Sequence, residues 1–146
     1  MPVEWQNTRE PLPERILRGA ELLLGVEFPW DYRECVRLNH RGHPDPNTFR
    51  VEGITTAWGS CVGELLSPDP RAPENVWATI AHLYVDGPLP DGLVPVTDDG
   101  GGDLVCLDYR GGPESPRVVY WSHEVGGVEG ITPIADTFTA FLSLLG

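Results

Sequence analysis

The sequence predicts a single α+β domain, with helices near both termini and hairpin-linked strands between them. Three observations support this fold class. Apolar residues recur at helical spacing at both ends of the chain, and short β-rich segments bounded by Gly, Pro and Asp fill its last third. The chain has 146 residues and no repeat, low-complexity tract or linker, so we expect one domain over residues 1–146.

Four helices are predicted from the spacing of apolar residues. Their ranges are Leu12–Leu24, Pro29 to Gly42, Val76–Tyr84 and Asp136 to Leu145. Gly25 is typical of the residue that follows a helix, because glycine adopts the left-handed conformation without strain. Asp136 is expected to cap the last helix, because its carboxylate can accept hydrogen bonds from the first free N–H groups.

Five short strands are predicted between these helices. Their ranges are Phe49–Val51, Cys61–Leu66, Leu93–Val96, Val105–Tyr109 and Val118–Trp121. The last three are almost continuously apolar, so we expect the sheet to be covered on one face and partly on the other. Residues 67–74 contain three prolines and are predicted to form a loop.

Net charge is the most informative bulk property, because it is unevenly distributed. The chain carries a formal net charge of −12 and contains arginine but no lysine. Residues 51–146 contain fourteen acidic residues and three arginines, which gives that part a net charge of −11. Such a field repels nucleic acids and anionic membranes and attracts basic partners, although an acidic surface also serves solubility alone. We therefore expect no binding to nucleic acid or membrane.

The compartment is predicted from the apolar segments and the cysteines. No apolar run reaches the length of a membrane span, and the first residues lack the pattern of a signal peptide. Cys35, Cys61 and Cys106 are odd in number, far apart and surrounded by apolar residues. We therefore expect reduced, buried thiols in a cytoplasmic protein.

The segment DDGGGD, residues 98–103, joins two predicted strands and could be a ligand-binding loop or a turn. A phosphate loop precedes a helix and carries a basic residue, whereas this segment leads into a strand and carries aspartates. The acids lack the spacing of an EF-hand loop, although a less regular calcium site stays open. We predict a hairpin turn, with Gly101 or Gly102 at positive φ and aspartates bonded to their own backbone.

Several segments resemble, in order along the chain, motifs of the SMI1/KNR4 family, also called the SUKH superfamily. They are LGVEFPWDYRECVRLNHRG (residues 24–42), LVPVTDDGGGDLVCLD (residues 93–108), VVYWSHE (residues 118–124) and ADTFTAFL (residues 135–142). The resemblance implies a mostly antiparallel or mixed sheet packed by helices. It also implies a non-enzymatic, protein-binding domain. Bacterial members are similar to immunity proteins that neutralise toxins, and fungal members look like regulators of cell-wall synthesis that act through partner binding.

The acidic charge and the implied function together predict where a partner binds. We expect a cognate toxin with a basic surface, such as a nuclease, to contact acids at loops and strand ends together with nearby aromatic side chains. The predicted contacts are Asp98, Asp99, Asp103, Asp108, Tyr109, Trp121 and Glu124. We expect a monomer or weak homodimer without a cofactor. The alternative hypothesis is a regulatory or scaffold protein of the same fold that binds a cellular partner.

A small hydrolase or metal-dependent enzyme is the third hypothesis. Cys35 with His40 or His43 could supply a thiolate and an imidazole, and the two histidines could bind a metal ion. However, the sequence lacks the paired ligand motifs of zinc sites, and a cysteine on the apolar side of a helix is typical of a core. His123 and Glu124, at the end of the segment VVYWSHE, could form an acid/base pair, but adjacent residues in a strand point to opposite faces. The sequence therefore favours no catalytic residue and no metal site.

Overall fold

The computed structural model describes residues 3–51, 60–86, 89–99 and 101–146, which form an α+β domain. The elements in chain order are β1 (Glu4–Gln6), α1 (Glu14–Leu24), α2 (Trp30–Asn39), β2 (His43–Asp45), β3 (Thr48–Phe49), β4 (Ser60–Cys61), α3 (Val76–Asp86), β5 (Leu93–Asp98), β6 (Leu104–Asp108), β7 (Arg117–Trp121), a 3₁₀ turn (Val128–Gly130), β8 (Ile131–Ala135) and α4 (Phe138–Leu142). The predicted fold class is confirmed, with helices near both ends.

The main sheet is a four-stranded antiparallel meander in the order β5-β6-β7-β8. In its centre Cys106 of β6 lies opposite Val119 of β7, and bulges interrupt the register within β5 and β7. Two small antiparallel pairs, β1 with β2 and β3 with β4, precede the meander in the chain. All pairings between the described strands are thus antiparallel, which agrees with hairpin connections.

The meander is covered on both faces, as its almost continuously apolar strands predicted. Val105, Leu107 and Tyr120 point into a large core that includes apolar residues of α1, α2 and α4. Their chain neighbours Cys106 and Trp121 point the other way, into a smaller cluster that packs against α3. This alternation follows from the period of two in a strand, and it puts α3 against one face of the meander.

Two helix ends had been predicted from the sequence, and the structure confirms the end of α1 but not the start of α4. Gly25 ends α1 with φ of 69° and donates its N–H to the carbonyl of Glu21, so its predicted role as a helix stop is confirmed. The prediction that Asp136 caps the last helix is wrong. Thr137 has the extended backbone of a capping residue, and its side chain accepts the N–H of Ala140 at 3.0 Å.

Short strands were the least predictable elements. The sequence missed β1, β2 and β8, and the predicted strand Cys61–Leu66 is reduced to the two residues of β4 and an isolated bridge from Leu65 to Thr97. The predicted strand Phe49–Val51 is observed as Thr48–Phe49, shifted by a residue or two. These pieces are too short to show a period, and their partners are distant in the chain.

The three cysteines are free but differ in exposure. Cys106 is buried, Cys35 is partly buried and Cys61 is exposed. The prediction that all three are buried is therefore wrong for Cys61, which lies in the two-residue strand β4 and not in an apolar layer of the main sheet. A search of the described helices found none that combines the length and the apolar character needed to cross a membrane.

Candidate partner-binding groove

The DDGGGD segment forms the turn between β5 and β6. Asp99 Oδ1 accepts hydrogen bonds from the backbone N–H groups of Gly101 at 2.8 Å and Asp103 at 3.1 Å. Gly102 has φ of 100°, which a residue with a side chain adopts only under strain. Gly100 lies outside the described residues. The predicted turn, with a glycine at positive φ and an aspartate bonded to its own backbone, is confirmed.

Asp103 joins this turn to the end of β7. Its Oδ2 accepts the hydroxyl of Tyr120, and its Oδ1 accepts the backbone N–H of His123 at 3.0 Å and lies 2.6 Å from His123 Nδ1. Burial alone would raise the pKa of Asp103, but the hydrogen bonds from Tyr120 and His123 outweigh burial and hold the pKa below its ordinary value. The carboxylate is therefore engaged in internal hydrogen bonds.

Asp98, at the other end of the turn, is positioned by the segment that follows β4. Its backbone carbonyl accepts the N–H of Gly63 at 2.7 Å, and its carboxylate lies where a Cβ on Gly63 would be. The hydroxyl of Thr97 donates to the carbonyl of Glu64 at 3.0 Å, which fixes the same edge of β5. Only glycine at position 63 allows this approach, and the approach leaves the Asp98 carboxyl half-buried.

The loop that precedes α3 faces the turn and is also held by internal contacts. Asn75 caps α3, because its Oδ1 accepts the N–H of Ala78 at 2.7 Å, and its amide donates to the carbonyl of Ala72. The indole of Trp77 donates to the carbonyl of Pro68 at 2.8 Å. These bonds fix the backbone on both sides of Glu74, whose side chain is exposed.

A groove of about 490 Å³ lies between α3 and the β5–β6 turn. Its apolar lining consists of Pro73, Ala78, Leu83 and Leu104. Its titratable lining consists of Glu74, Asp98, His82 and His123. The volume falls in the range of sites that accept a small molecule or an inserted side chain. The combination of apolar walls and carboxylates favours a ligand with an apolar body and a positive charge.

The arginines of the acidic part of the chain are paired outside this groove. Arg71 forms an ion pair with Asp69 at 2.9 Å. Arg110 and Arg117 both pair with the buried Asp108, at 2.9 and 3.3 Å. These are the three arginines of residues 51–146, so none of them is available to balance the carboxylates of the groove.

Within the groove, burial and neighbouring negative charges both oppose the ionisation of Asp98. Burial raises the pKa of Asp98 above its ordinary value, and the negative charges of Glu74 and Asp99 raise this pKa further. A backbone hydrogen bond and His43 lower the pKa of Asp98, but by less than burial and the two negative charges raise it. A cation that entered the groove would therefore relieve repulsion already present between the carboxylates.

The seven predicted contact residues do not form one surface. Tyr109 is buried and donates its hydroxyl to the carbonyl of Glu27 at 2.7 Å, and Trp121 is fully buried with its indole bonded to Gly127. Asp108 is buried in the ion pairs described above. Because these three side chains are buried, they are not available to contact a partner in this structure. Of the other four, Asp98 lines the groove, Asp99 and Asp103 shape its rim, and Glu124 is exposed in the loop after β7.

Sequence reasoning missed Glu74 and His82 as groove residues. Glu74 lies in a proline-rich loop and His82 in a helix, and neither has a motif around it. Their position next to Asp98 depends on how α3 packs against β5. The one available signal is the helical spacing of Ala78, Thr79 and His82, which places small and polar side chains on one face of α3.

Of the residues considered for catalysis, Cys35 and His40 are engaged in the structure of the domain. Burial raises the pKa of the Cys35 thiol to about 12, so it is a thiol at neutral pH and a poor nucleophile. The buried His40 bonds through its two ring nitrogens to Ser67 Oγ at 3.0 Å and the carbonyl of Glu10 at 2.8 Å. Among the described residues, no group of three or more His, Cys, Asp or Glu could hold a metal ion.

The fold and the groove define a small α+β domain that carries an acidic cleft between α3 and the β5–β6 turn. Family comparison agrees with this class and makes it specific. The sequence model of the SMI1 / KNR4 family (SUKH-1) matches residues 11–144, and the chain belongs to this family. The match confirms the family that the ordered motifs indicated. No curated protein sequence matches the chain.

Proposed function

We propose that the protein is a non-enzymatic immunity protein, which binds a cognate toxin in the cytoplasm and neutralises it. The observation that carries the proposal is the acidic groove between α3 and the β5–β6 turn, on a domain of the SMI1/KNR4 family. The proposed unit is the single domain of residues 1–146, which acts as a monomer or weak homodimer.

The proposed partner carries a basic surface, and a nuclease is the class that fits best. An enzyme that acts on nucleic acid needs positive charge in its cleft to bind phosphates. Residues 51–146 carry a net charge of −11, so their field attracts such a cleft and raises the association rate. The affinity then depends on a few side chains of the partner that become buried at the interface, and the groove can accept such a side chain.

Two details support a binding role over a catalytic one. The Cys35 thiol lies on the side of α2 that faces the core, and burial raises its pKa. Each ring nitrogen of His40 already has a hydrogen-bond partner within the domain. Among the described residues, Asp98 belongs to no group of His, Cys, Asp or Glu that could hold a metal ion. A regulatory protein of the same fold would use the same groove, so the identity of the partner separates the two roles.

The experiment that tests the proposal uses the product of the neighbouring reading frame. The two purified proteins are mixed and analysed by size-exclusion chromatography and calorimetry, and the toxin candidate is expressed in cells with and without this protein. We expect a stable complex and restored growth. An unrelated toxin of similar charge serves as the control for specificity. Absence of both complex and protection would contradict the immunity function and leave the regulatory alternative.

A further inference from the structure

The groove has two different kinds of wall. On one side, Ala78 and Leu83 of α3 face Leu104 of β6 and offer aliphatic carbon. At the end formed by the turn and the loop before α3, Glu74 and Asp98 contribute carboxylates. A ligand that satisfies both walls has an aliphatic segment and a cationic end, as in the long basic side chains of proteins.

The imidazoles of the groove add a third element. His82 on α3 and His123 after β7 both line it. His123 is fixed in place, because its ring lies against Gly102, where a Cβ would be 3.0 Å from His123 Cε1, and because it bonds to Asp103. The flat ring of His123 at a fixed position favours a planar guanidinium, which stacks on aromatic faces, over a compact and strongly hydrated ammonium.

We propose that the groove receives an arginine side chain of the protein partner, with its guanidinium at Glu74 and Asp98 and its methylene groups on Ala78, Leu83 and Leu104. This inference rests on the proposed function, because the arginine is supplied by the protein partner. Charge complementarity supports it, because the groove presents two carboxylates and the three arginines of residues 51–146 are paired outside it. Arginine is also enriched among the residues that dominate binding energy at interfaces.

The first test needs no partner protein. The peptide acetyl-Gly-Arg-Gly-amide is titrated into ¹⁵N-labelled protein at neutral pH and followed by amide chemical shifts. We expect saturable shifts confined to residues 74–83, 98–104 and 123. The matched peptide with citrulline, which has the same shape and no charge, should cause none. Lysine in place of arginine should bind more weakly, and equal binding would overturn the assignment to arginine.

Two double variants locate the site. The groove variant, Glu74→Gln with Asp98→Asn, removes two charges inside the groove. The control variant, Glu114→Gln with Glu129→Gln, removes two charges from exposed positions that do not line it. We expect the groove variant to bind the arginine peptide about tenfold more weakly and the control variant to bind it unchanged. Non-saturating shifts, or an equal loss in both variants, would show general attraction to an acidic surface and overturn the inference.

The same variants separate this inference from the proposed function. If the neighbouring gene's product binds the wild type and both variants equally well, the immunity function stands and the arginine groove is wrong. If the peptide binds in the groove but the neighbouring product forms no complex, the groove stands and the immunity function is wrong. The amide spectrum of each variant shows in the same experiment whether the fold is retained.

Discussion

Replacement of Asp103 by alanine is the most direct test of how the β5–β6 turn is held. The change removes the carboxylate that accepts the Tyr120 hydroxyl and the His123 backbone N–H. It keeps the backbone of the turn, whose Asp99 contacts do not use the Asp103 side chain. The variant therefore isolates the contribution of one carboxylate that links the turn to β7.

The size of the effect follows from the number and type of bonds lost. A hydrogen bond to a charged group contributes about 1.5–3 kcal/mol, and bonds to one carboxylate are not additive. The Asp103 side chain is 21% exposed, so solvent replaces part of what the substitution removes. We expect a loss of about 2–3 kcal/mol in the free energy of unfolding, which corresponds to a fall in Tm of about 4–12 °C.

The pH dependence gives an independent check of the mechanism. The pKa of Asp103 is lower in the folded protein than its ordinary value, so its stabilising contribution is fully present above the unfolded pKa of about 3.9. It is lost as the pH falls through the folded value. We therefore expect the stability difference between wild type and Asp103→Ala to shrink as the pH falls below about 4.

Urea denaturation followed by tryptophan fluorescence measures both quantities. Asp99→Asn is the matched control, because an amide oxygen can still accept the N–H groups of Gly101 and Asp103, and its effect should stay within about 0.5 kcal/mol. Tyr120→Phe completes a double-mutant cycle with Asp103→Ala. We expect this cycle to give a non-zero coupling free energy between the Tyr120 hydroxyl and the Asp103 carboxylate. An unchanged midpoint for Asp103→Ala, or a difference that persists undiminished at acidic pH, would refute the role assigned to this carboxylate.

Three further predictions concern the turn, the thiols and the partner. Gly102→Val should destabilise the domain by about 1–3 kcal/mol, because of its positive φ, whereas Gly101→Ala should be nearly neutral in a thermal melt. A thiol reagent should label Cys61 rapidly in the native protein and Cys35 slowly, and Cys106 only after unfolding; rapid reaction of all three would contradict their observed exposure. The groove variant should speed dissociation from the toxin, while the control variant should lower only the association rate and its salt dependence; equal dissociation rates would count against the groove.

The helices were predictable because each has an apolar face long enough to show its period. Three of the five predicted strands were also correct, since they are almost continuously apolar and bounded by turn residues. Strand β8 escaped prediction because Pro133 interrupts it. The sheet tolerates this proline because β8 is at the edge of the meander, with β7 as its one partner among the described strands. Strand β1 pairs with a three-residue segment centred on Pro44, so neither sequence shows a strand pattern.

The candidate site was predicted only in part, because a sequence does not show whether an acid at a strand end is exposed or buried in an ion pair. Asp98 was identified as a surface acid at a strand end, and it does line the groove. Asp108 has the same local context at the end of β6, but two arginines that follow it in the chain fold back and bury it. The difference between an acid that faces a partner and an acid that holds the fold depends on contacts between distant segments.

The β5–β6 turn illustrates this division of roles within six residues of sequence. Asp99 bonds the backbone of the turn, and Asp103 bonds Tyr120 and His123, so the charges of these two aspartates stabilise the local structure. Asp98 has its carboxyl half-buried beside Glu74, in a position where burial and repulsion both oppose its ionisation. The arginine that we propose for this groove would place a compensating positive charge beside the Asp98 carboxyl.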